Sequence, residues 1–389
     1  MIPTLGKGGA EKLIGDLSSE LSLNPNVSVT ILMFQQLFED EYNLSRINSK
    51  VRIVTLIPTG FGSTRAITRL ARVILYLLAP IISIITFIAF RVWSYDVVHI
   101  NLMLSSVYAV WWVLLARIVR CKRPVFIETF HSNWHLLRWY QKLIFRISWS
   151  VVDKVICEIG DSEVQIVKHK SFARDIGFIP FGVPEPEKKD AQFQERFIQH
   201  HLGSSWHEVD DKMVIMTIAT LNNFKKRFDC ILKALAIVKG KGISDFEYWI
   251  CGDGPDRGLI EGLIDEFDLR DQVKILGFVD APQQVVYLAD LFIVAMVEGY
   301  LGVAGLQAGM AGIPVIGVQT VPGYVGKDDA IWSAENPEDI AQKIIELQDE
   351  SVRLRYALSV QTYVKNRYDI ERFYSSYYAL FSKEARLQG

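Results

Sequence analysis

The 389-residue chain has little cysteine: Cys121, Cys157, Cys230 and Cys251 stand singly, with no Cys-x-x-Cys pair and no metal-ligand spacing. Such residues are small buried hydrophobes in a reducing compartment, which excludes a disulfide scaffold and thiol-based metal or redox chemistry. Charged residues make up only 22% and apolar residues 50%, so the chain is neither disordered, nor a coiled coil, nor a collagen-like fibre. No repeat of solenoid period and no low-complexity tract occurs. A basic and then apolar leader is also lacking, since Met1-Ile2-Pro3 runs straight into a glycine loop. A cytoplasmic protein is therefore expected.

The net charge of -2 conceals a split. Residues 1–150 hold sixteen Lys/Arg against eight Asp/Glu, a surplus of eight positive charges; the remainder holds 26 against 36, a deficit of ten. A basic part joined to an acidic part implies that one domain faces an anionic surface.

Short apolar runs alternate with longer apolar-periodic stretches, the pattern of parallel sheets covered on both faces by helices. Strands are expected at residues 27–34, 51–56, 96–100, 125–130, 154–159 and 176–179. After a charged linker at 184–190, a second series follows at 213–219, 246–251, 273–276, 291–295 and 314–317. Two such series give an α/β chain of two doubly wound, Rossmann-like domains facing a central cleft. The domains are expected at 1–184 and 185–367, with a helix over 368–389 crossing back to the first. Only Met1–Leu5 precede Gly6, so the strand that ordinarily delivers a glycine turn is missing or truncated.

Residues 73–90 form eighteen positions without a charge, interrupted by Pro80. That is the lower limit for a membrane span. The flanking strands belong to one sheet, so a helix pair or bent helix, partly buried or lying in a membrane surface, fits better. Upstream, Arg65, Arg69 and Arg72 share a helical face. Downstream, the apolar stretch 102–116 with Trp111 and Trp112 leads into Arg117, Arg120, Lys122 and Arg123. Arg138, Trp139, Tyr140, Lys142, Arg146 and Trp149 come next. Cations interleaved with Trp and Tyr suit an anionic lipid headgroup zone; core helices flanked by solvated charges are the alternative. No nucleic-acid recognition motif appears, so nucleic acid is not expected as a partner.

Three constellations carry chemistry. Gly6-Lys7-Gly8-Gly9-Ala10-Glu11-Lys12 opens an apolar-periodic helix, either a phosphate loop or a tight turn. Gly252-Asp253-Gly254-Pro255 follows a buried strand but lacks the third glycine of a dinucleotide turn, which disfavours hydride transfer; Pro255 is expected to open the next helix. In the third, a buried strand over 291–295 ends at Glu298-Gly299, and a helix beginning near Gly302 carries Val303 and Gln307. This loop can present N–H groups to a diphosphate while Glu298 accepts sugar hydroxyls.

With Asp96-Val97-Val98-His99, Phe130-His131, Ile179-Pro180-Phe181-Gly182-Val183, Leu276-Gly277-Phe278-Val279 and Gly312-Ile313-Pro314-Val315 added, the chain resembles the GT-B glycosyltransferases of family 4 over nearly its full length. The resemblance implies transfer of a sugar from a nucleotide diphosphate donor to a glycan or lipid-linked acceptor, with retention of configuration. It implies no cofactor and no metal, and no Asp-x-Asp triplet occurs in the chain.

Position by position, the family's paired glutamates fall at Glu298 and Gln307, nine apart instead of eight, the second being an amide. The family's phosphate-binding Arg reads Thr220, its Lys is Lys226, and Arg227 replaces the usual glycine. A cation there stabilises the departing diphosphate. His131 occupies the place of a histidine near the donor sugar, and Asn101 that of a second histidine. The resemblance thus assigns His131 and Glu298 to catalysis, Lys226, Arg227, Gly299, Gly302, Val303 and Gln307 to the donor, and Gly8 and Gly9 to the acceptor or a phosphate. Its basic part would hold the enzyme peripherally on the cytoplasmic face of an anionic membrane. The departures at Gln307 and Thr220 leave open a catalytically weak homologue acting as a binding subunit of a glycan assembly complex. A nucleotide-sugar epimerase on the same fold is a third possibility.

Overall fold

A computed structural model of the chain describes residues 1–5, 9–35, 44–57, 77–119, 123–132, 134–158, 161–170, 172–188, 190–203, 212–279, 282–296, 301–319 and 332–386. The chain divides into two units, Met1–Gly182 with Glu371–Gly389, and Val183–Ile370. Among the described residues no helix is long and apolar enough to cross a membrane.

In the first unit, β1 (Thr30–Gln35) pairs in parallel with β2 (Arg52–Ile57), and β3 (Val97–Asn101), β4 (Val125–Phe130), β5 (Lys154–Cys157) and β6 (Ile176–Phe178) form a parallel four-stranded sheet in that order. Met1 and Ile2 join the two. Ile2 N donates to Leu32 O (3.0 Å) and Ile2 O accepts from Phe34 N (3.3 Å), while Asn101 N donates to Met1 O (3.1 Å). The Met1 amine donates to His99 O at 2.7 Å. Met1 and Ile2, ahead of the glycine loop, thus bridge β1 and β3. Burial lowers the Met1 amine to about pKa 5, so it is neutral at pH 7.

Helix α1 spans Gly9–Leu21. Next come α2 (Ala79–Ala89), α3 (Met103–Ile118), α4 (Trp139–Val151) and α5 (Asp161–Lys170). Pro80 lies in the first turn of α2, where its missing N–H costs no helical hydrogen bond. Helix α3 packs between α2 and α4. Its residues Leu104, Tyr108, Ala109, Trp112, Val113 and Ala116 form one buried stripe at helical spacing. Trp112 Nε1 reaches Ser83 O (3.1 Å) and Thr86 Oγ1 (3.2 Å) of α2, which satisfies a buried donor.

The second unit begins with α6 (Ala191–Leu202), capped by Asp190, whose side chain accepts from Phe193 N. Its strands are β7 (Met213–Ile218), β8 (Phe246–Cys251), β9 (Val273–Gly277), β10 (Leu291–Met296), β11 (Val315–Gln319) and β12 (Trp332–Ala334). They lie in the order β12-β11-β10-β7-β8-β9, so the topology reverses between β7 and β10. Tyr248 Oη donates to Thr217 Oγ1 (2.8 Å), which donates to Ile293 O (2.6 Å), tying β8, β7 and β10 together inside the core. The helices are α7 (Asn223–Lys226), α8 (Phe228–Gly240), α9 (Arg257–Glu266), α10 (Pro282–Val285), α11 (Gly302–Met310), α12 (Pro337–Glu346) and α13 (Glu350–Arg367). Pro255 lies two residues ahead of α9, with Asp256 at the cap, and so does not open that helix.

Helix α14 (Ile370–Arg386) belongs from Glu371 onward to the first unit. There Tyr378 Oη accepts from Asn24 Nδ2 (2.9 Å), and Glu384 lies 3.4 Å from Lys154 Nζ.

Candidate functional site

Two groups of residues lie at the carboxyl ends of strands, where open α/β sheets hold their ligands. In the second unit the group flanks the reversal between β7 and β10. The chain leaving β7 passes close under the chain leaving β8. A Cβ on Gly252 would lie 1.9 Å from Ala219 O, and one on Gly254 would lie 2.5 Å from Leu221 O. Ala219 N and Leu221 N donate to Cys251 O and Asp253 O, each at 3.1 Å. The glycines of Gly252-Asp253-Gly254 therefore serve the close approach of two loops.

That packing aims α7. The Asn222 side chain accepts from Lys225 N (3.1 Å), and Asp256 Oδ2 accepts from Asn223 N (2.8 Å). Helix α7 also lies against β10. Lys226 ends it, half-buried, and burial together with the neighbouring Lys225 lowers its pKa. Arg227 joins α7 to α8 in the left-handed region, at φ 55°. This is why glycine suits the position: a side chain there costs roughly 1 kcal/mol or more. Thr220 is exposed on the preceding loop.

On the other side of the reversal, α11 begins at Gly302 (φ 66°), with Val303 in its first turn and no side chain capping it. The amino end of such a helix favours an anion. Gln307 is buried on the same helix. Cβ atoms at Gly305 and Gly309 would lie 2.9 Å from Val294 of β10 and from Val360 and Val364 of α13. Only small residues let α11 sit between them. Glu298 and Gly299 lie outside the described residues.

In the first unit, Gly8 lies outside the described residues and Gly9 opens α1. His131 directly follows β4, with its side chain only 5% exposed. Its Nδ1 lies 2.8 Å from Glu158 Oε2, and its Nε2 lies 2.9 Å from Asn101 Oδ1. Glu158 Oε1 accepts from Tyr377 Oη (3.1 Å), which pairs with Thr129 Oγ1 (2.9 Å), which in turn meets His99 Nε2 (2.7 Å). Burial, then the Met1 amine and His131, push the His99 pKa well down. Burial, then Glu158, push Tyr377 well up. His99 and Tyr377 are therefore neutral at pH 7. A half-turn of the Asn101 amide exchanges its oxygen and nitrogen. The same partners thus serve a neutral Nδ1–H imidazole and an imidazolium.

The structure therefore brings His131 together with Asn101 and His99, and Lys226 together with Arg227. Glu158, Thr129 and Tyr377 had no place in the sequence-based site. Glu158 ends an apolar run, the same signal that singled out Glu298. Tyr377 comes from the far end of the chain, and nothing in its local pattern marks it.

Residues 212–350 match the family model described as Glycosyl transferases group 1. A 2-deoxystreptamine N-acetyl-D-glucosaminyltransferase of Niallia circulans is 34% identical over 76 residues, covering 19% of this chain and 20% of that protein. The match thus spans about a fifth of the curated relative's length. Anabaena Alr3699/HepE, solved with UDP and glucose, is similar over 98% of both chains at 17% identity and a TM-score of 0.75. Sucrose-phosphate synthase of Thermosynechococcus elongatus is similar over 98% of this chain and 97% of its own, at 17% identity and a TM-score of 0.70.

The fold is GT-B. On that fold, the stretch that matches the group 1 glycosyl transferase model, residues 212–350, lies within the second unit.

Proposed function

We propose that the chain is a glycosyltransferase that moves a sugar from a nucleotide diphosphate sugar to a glycan or lipid-linked acceptor. One observation carries this reading: Lys226, Arg227 and the amino end of α11 follow the two neighbouring strands, β7 and β10, between which the sheet order reverses. Two cations and a helix dipole there suit a diphosphate and stabilise it as it leaves. This supply of positive charge supports a reaction that needs no metal. Gln307 lies on the same helix and offers an amide to ribose hydroxyls, and Glu298 is assigned to the donor sugar. His131 is assigned to a sugar hydroxyl or to proton transfer, and the loop before α1 to the acceptor. The sugar passes through an oxocarbenium-like state, with the diphosphate leaving on the side where the acceptor hydroxyl enters, so configuration is retained.

The relatives support the donor class. The similar Anabaena protein was solved with UDP and glucose, and the matched Niallia enzyme is named as a glucosaminyltransferase. The acid-poor, apolar helices α2, α3 and α4 favour an acceptor presented at the cytoplasmic face of an anionic membrane.

Calorimetry of the whole chain with UDP, GDP and their sugars, with and without EDTA, tests the donor assignment. Binding that survives EDTA is expected, and product NMR should show the donor's anomeric configuration. No nucleotide binding at all would overturn the enzyme reading in favour of a binding subunit.

A further inference from the structure

A surface pocket of about 420 Å³ lies against α4, lined by Trp134, Trp139, Lys142, Leu143, Arg146 and Lys170. Its base is apolar: Trp134 is buried, with its ring centre 5.5 Å from that of the fully buried Trp149. Its rim is cationic. Lys142 Nζ sits 5.8 Å from the centre of the Trp134 ring, and Arg146 Nε donates to Lys170 O at 2.8 Å, which fixes the guanidinium where α5 ends.

Helix α4 carries two stripes side by side. Arg138 at its cap, Lys142 and Arg146 recur every fourth residue, and Trp139, Leu143 and Ile147 repeat the spacing one position on. The apolar stripe is exposed, Trp139 by 77%, while the opposite stripe, Phe145, Ser148 and Trp149, is buried in the core. No acid lines the pocket. Between residues 97 and 152 the single acid is Glu128, which is buried. Next in the layer, α3 exposes Trp111, Leu114 and Ile118, and α2 exposes Ile81, Ile84, Ile85 and Ile88.

Cations level with exposed aromatic and aliphatic side chains match a bilayer boundary, where phosphates lie just above the acyl chains. We propose that this pocket seats the phosphate of an anionic phospholipid between Lys142, Arg146 and Lys170, with Trp139, Leu143 and Ile147 entering the acyl layer. The proposal rests on the membrane-facing reading above and not on the transfer chemistry. It adds a discrete headgroup site to a face that would otherwise bind by diffuse charge alone.

Vesicle flotation of the whole chain tests it. The vesicles are phosphatidylcholine alone, phosphatidylcholine with phosphatidylglycerol, and phosphatidylcholine with oleate matched in surface potential. Capture by phosphatidylglycerol should exceed capture by oleate. It should fall roughly 10- to 30-fold in Lys142→Gln/Arg146→Gln, at about a factor of five per lost cation. It should persist in Lys50→Gln/Arg52→Gln, which removes the same charge from exposed positions of the same unit. Unchanged melting and nucleotide binding show that the variants are folded. Equal capture by both anionic vesicles, or equal loss in both variants, overturns the pocket while leaving the membrane reading intact. No capture by any vesicle overturns both. Calorimetric binding of inorganic phosphate, lost in Lys142→Gln/Arg146→Gln, without vesicle capture would assign the pocket to a free anion, against the proposal. The donor assignment stands or falls separately, by calorimetry.

Discussion

His131 and Glu158 take the next paired position beyond the parallel register Phe130↔Cys157 of β4 and β5, with Nδ1 2.8 Å from Oε2 and both side chains buried. A carboxylate on Nδ1 orients an imidazole and favours the proton on that nitrogen, leaving Nε2 toward Asn101. Tyr377 holds the carboxylate in turn, and Thr129 pairs with the Tyr377 hydroxyl. If His131 moves a proton in the proposed transfer, Glu158 is a positioning residue for it.

Glu158→Gln keeps the shape and replaces the carboxylate by an amide. Turnover with a nucleotide sugar is expected to drop about 100-fold, the low end for a lost acid–base group. Affinity for the nucleoside diphosphate by calorimetry should not change, since the diphosphate and ribose are assigned to the second unit. Glu158→Asp should recover part of the rate, and the ¹⁵N spectrum of His131 should move with each variant. Full turnover in Glu158→Gln would place His131 outside the reaction.

Arg227 opposes two demands. Its left-handed backbone favours glycine, while its charge is assigned to the diphosphate. Arg227→Gly should stabilise the fold by about 1 kcal/mol and weaken binding of a nucleoside diphosphate several-fold. Urea unfolding and calorimetry read the two effects separately. A variant that loses stability, or binds nucleotide as tightly as before, contradicts this account.

Strand positions were largely legible because buried parallel strands are continuous apolar runs. Residues 125–130 and 246–251 pair over the full length expected of them. The short β12 was missed, since three residues, Trp332–Ala334, make no run. The network around His131 was legible only in part. His131 and Asn101 follow strands of the expected pattern, but Glu158 and Tyr377 become partners only through the packing of β5 and α14. The donor group was more accessible to sequence, because its glycines and cations cluster locally; the reason for Gly252 and Gly254 was not, because it lies in the loop of Ala219 and Leu221, 33 residues upstream of each.

That reason separates two nearby glycines. Gly254 would put a Cβ 2.5 Å from the Leu221 carbonyl, whereas Gly258 in α9 meets nothing within 4 Å. Gly258→Ala should stabilise the chain by about 0.5–1 kcal/mol through helix propensity. Gly254→Ala should cost about 1–3 kcal/mol through overpacking, and weaken nucleotide binding by displacing the loop before Lys226. Chemical denaturation of the two variants decides the matter, and similar stabilities would contradict the close approach of the loops.

Glu128 gives the fold a pH dependence of defined sign. It is fully buried on β4, its oxygens accepting from Ser106 Oγ (2.6 Å) and Ser148 Oγ (2.5 Å). Burial raises its pKa from about 4.5 to about 7; the two serines and His131 only partly oppose the rise. The folded state therefore holds the proton more tightly than the unfolded state. The stability this confers is complete below about pH 4.5 and is lost as pH rises to about 7. Glu128→Gln mimics the protonated form at every pH. The variant should match the parent near pH 4.5 and exceed it by up to ~3 kcal/mol at pH 8. The Met1 amine, lowered to about 5 by burial, pulls the other way, with stability gained as pH rises from about 5 to 8. That contribution is common to both proteins and cancels in their difference. Urea unfolding of the pair across this range measures it, and a difference that does not change with pH would show that Glu128 does not titrate there.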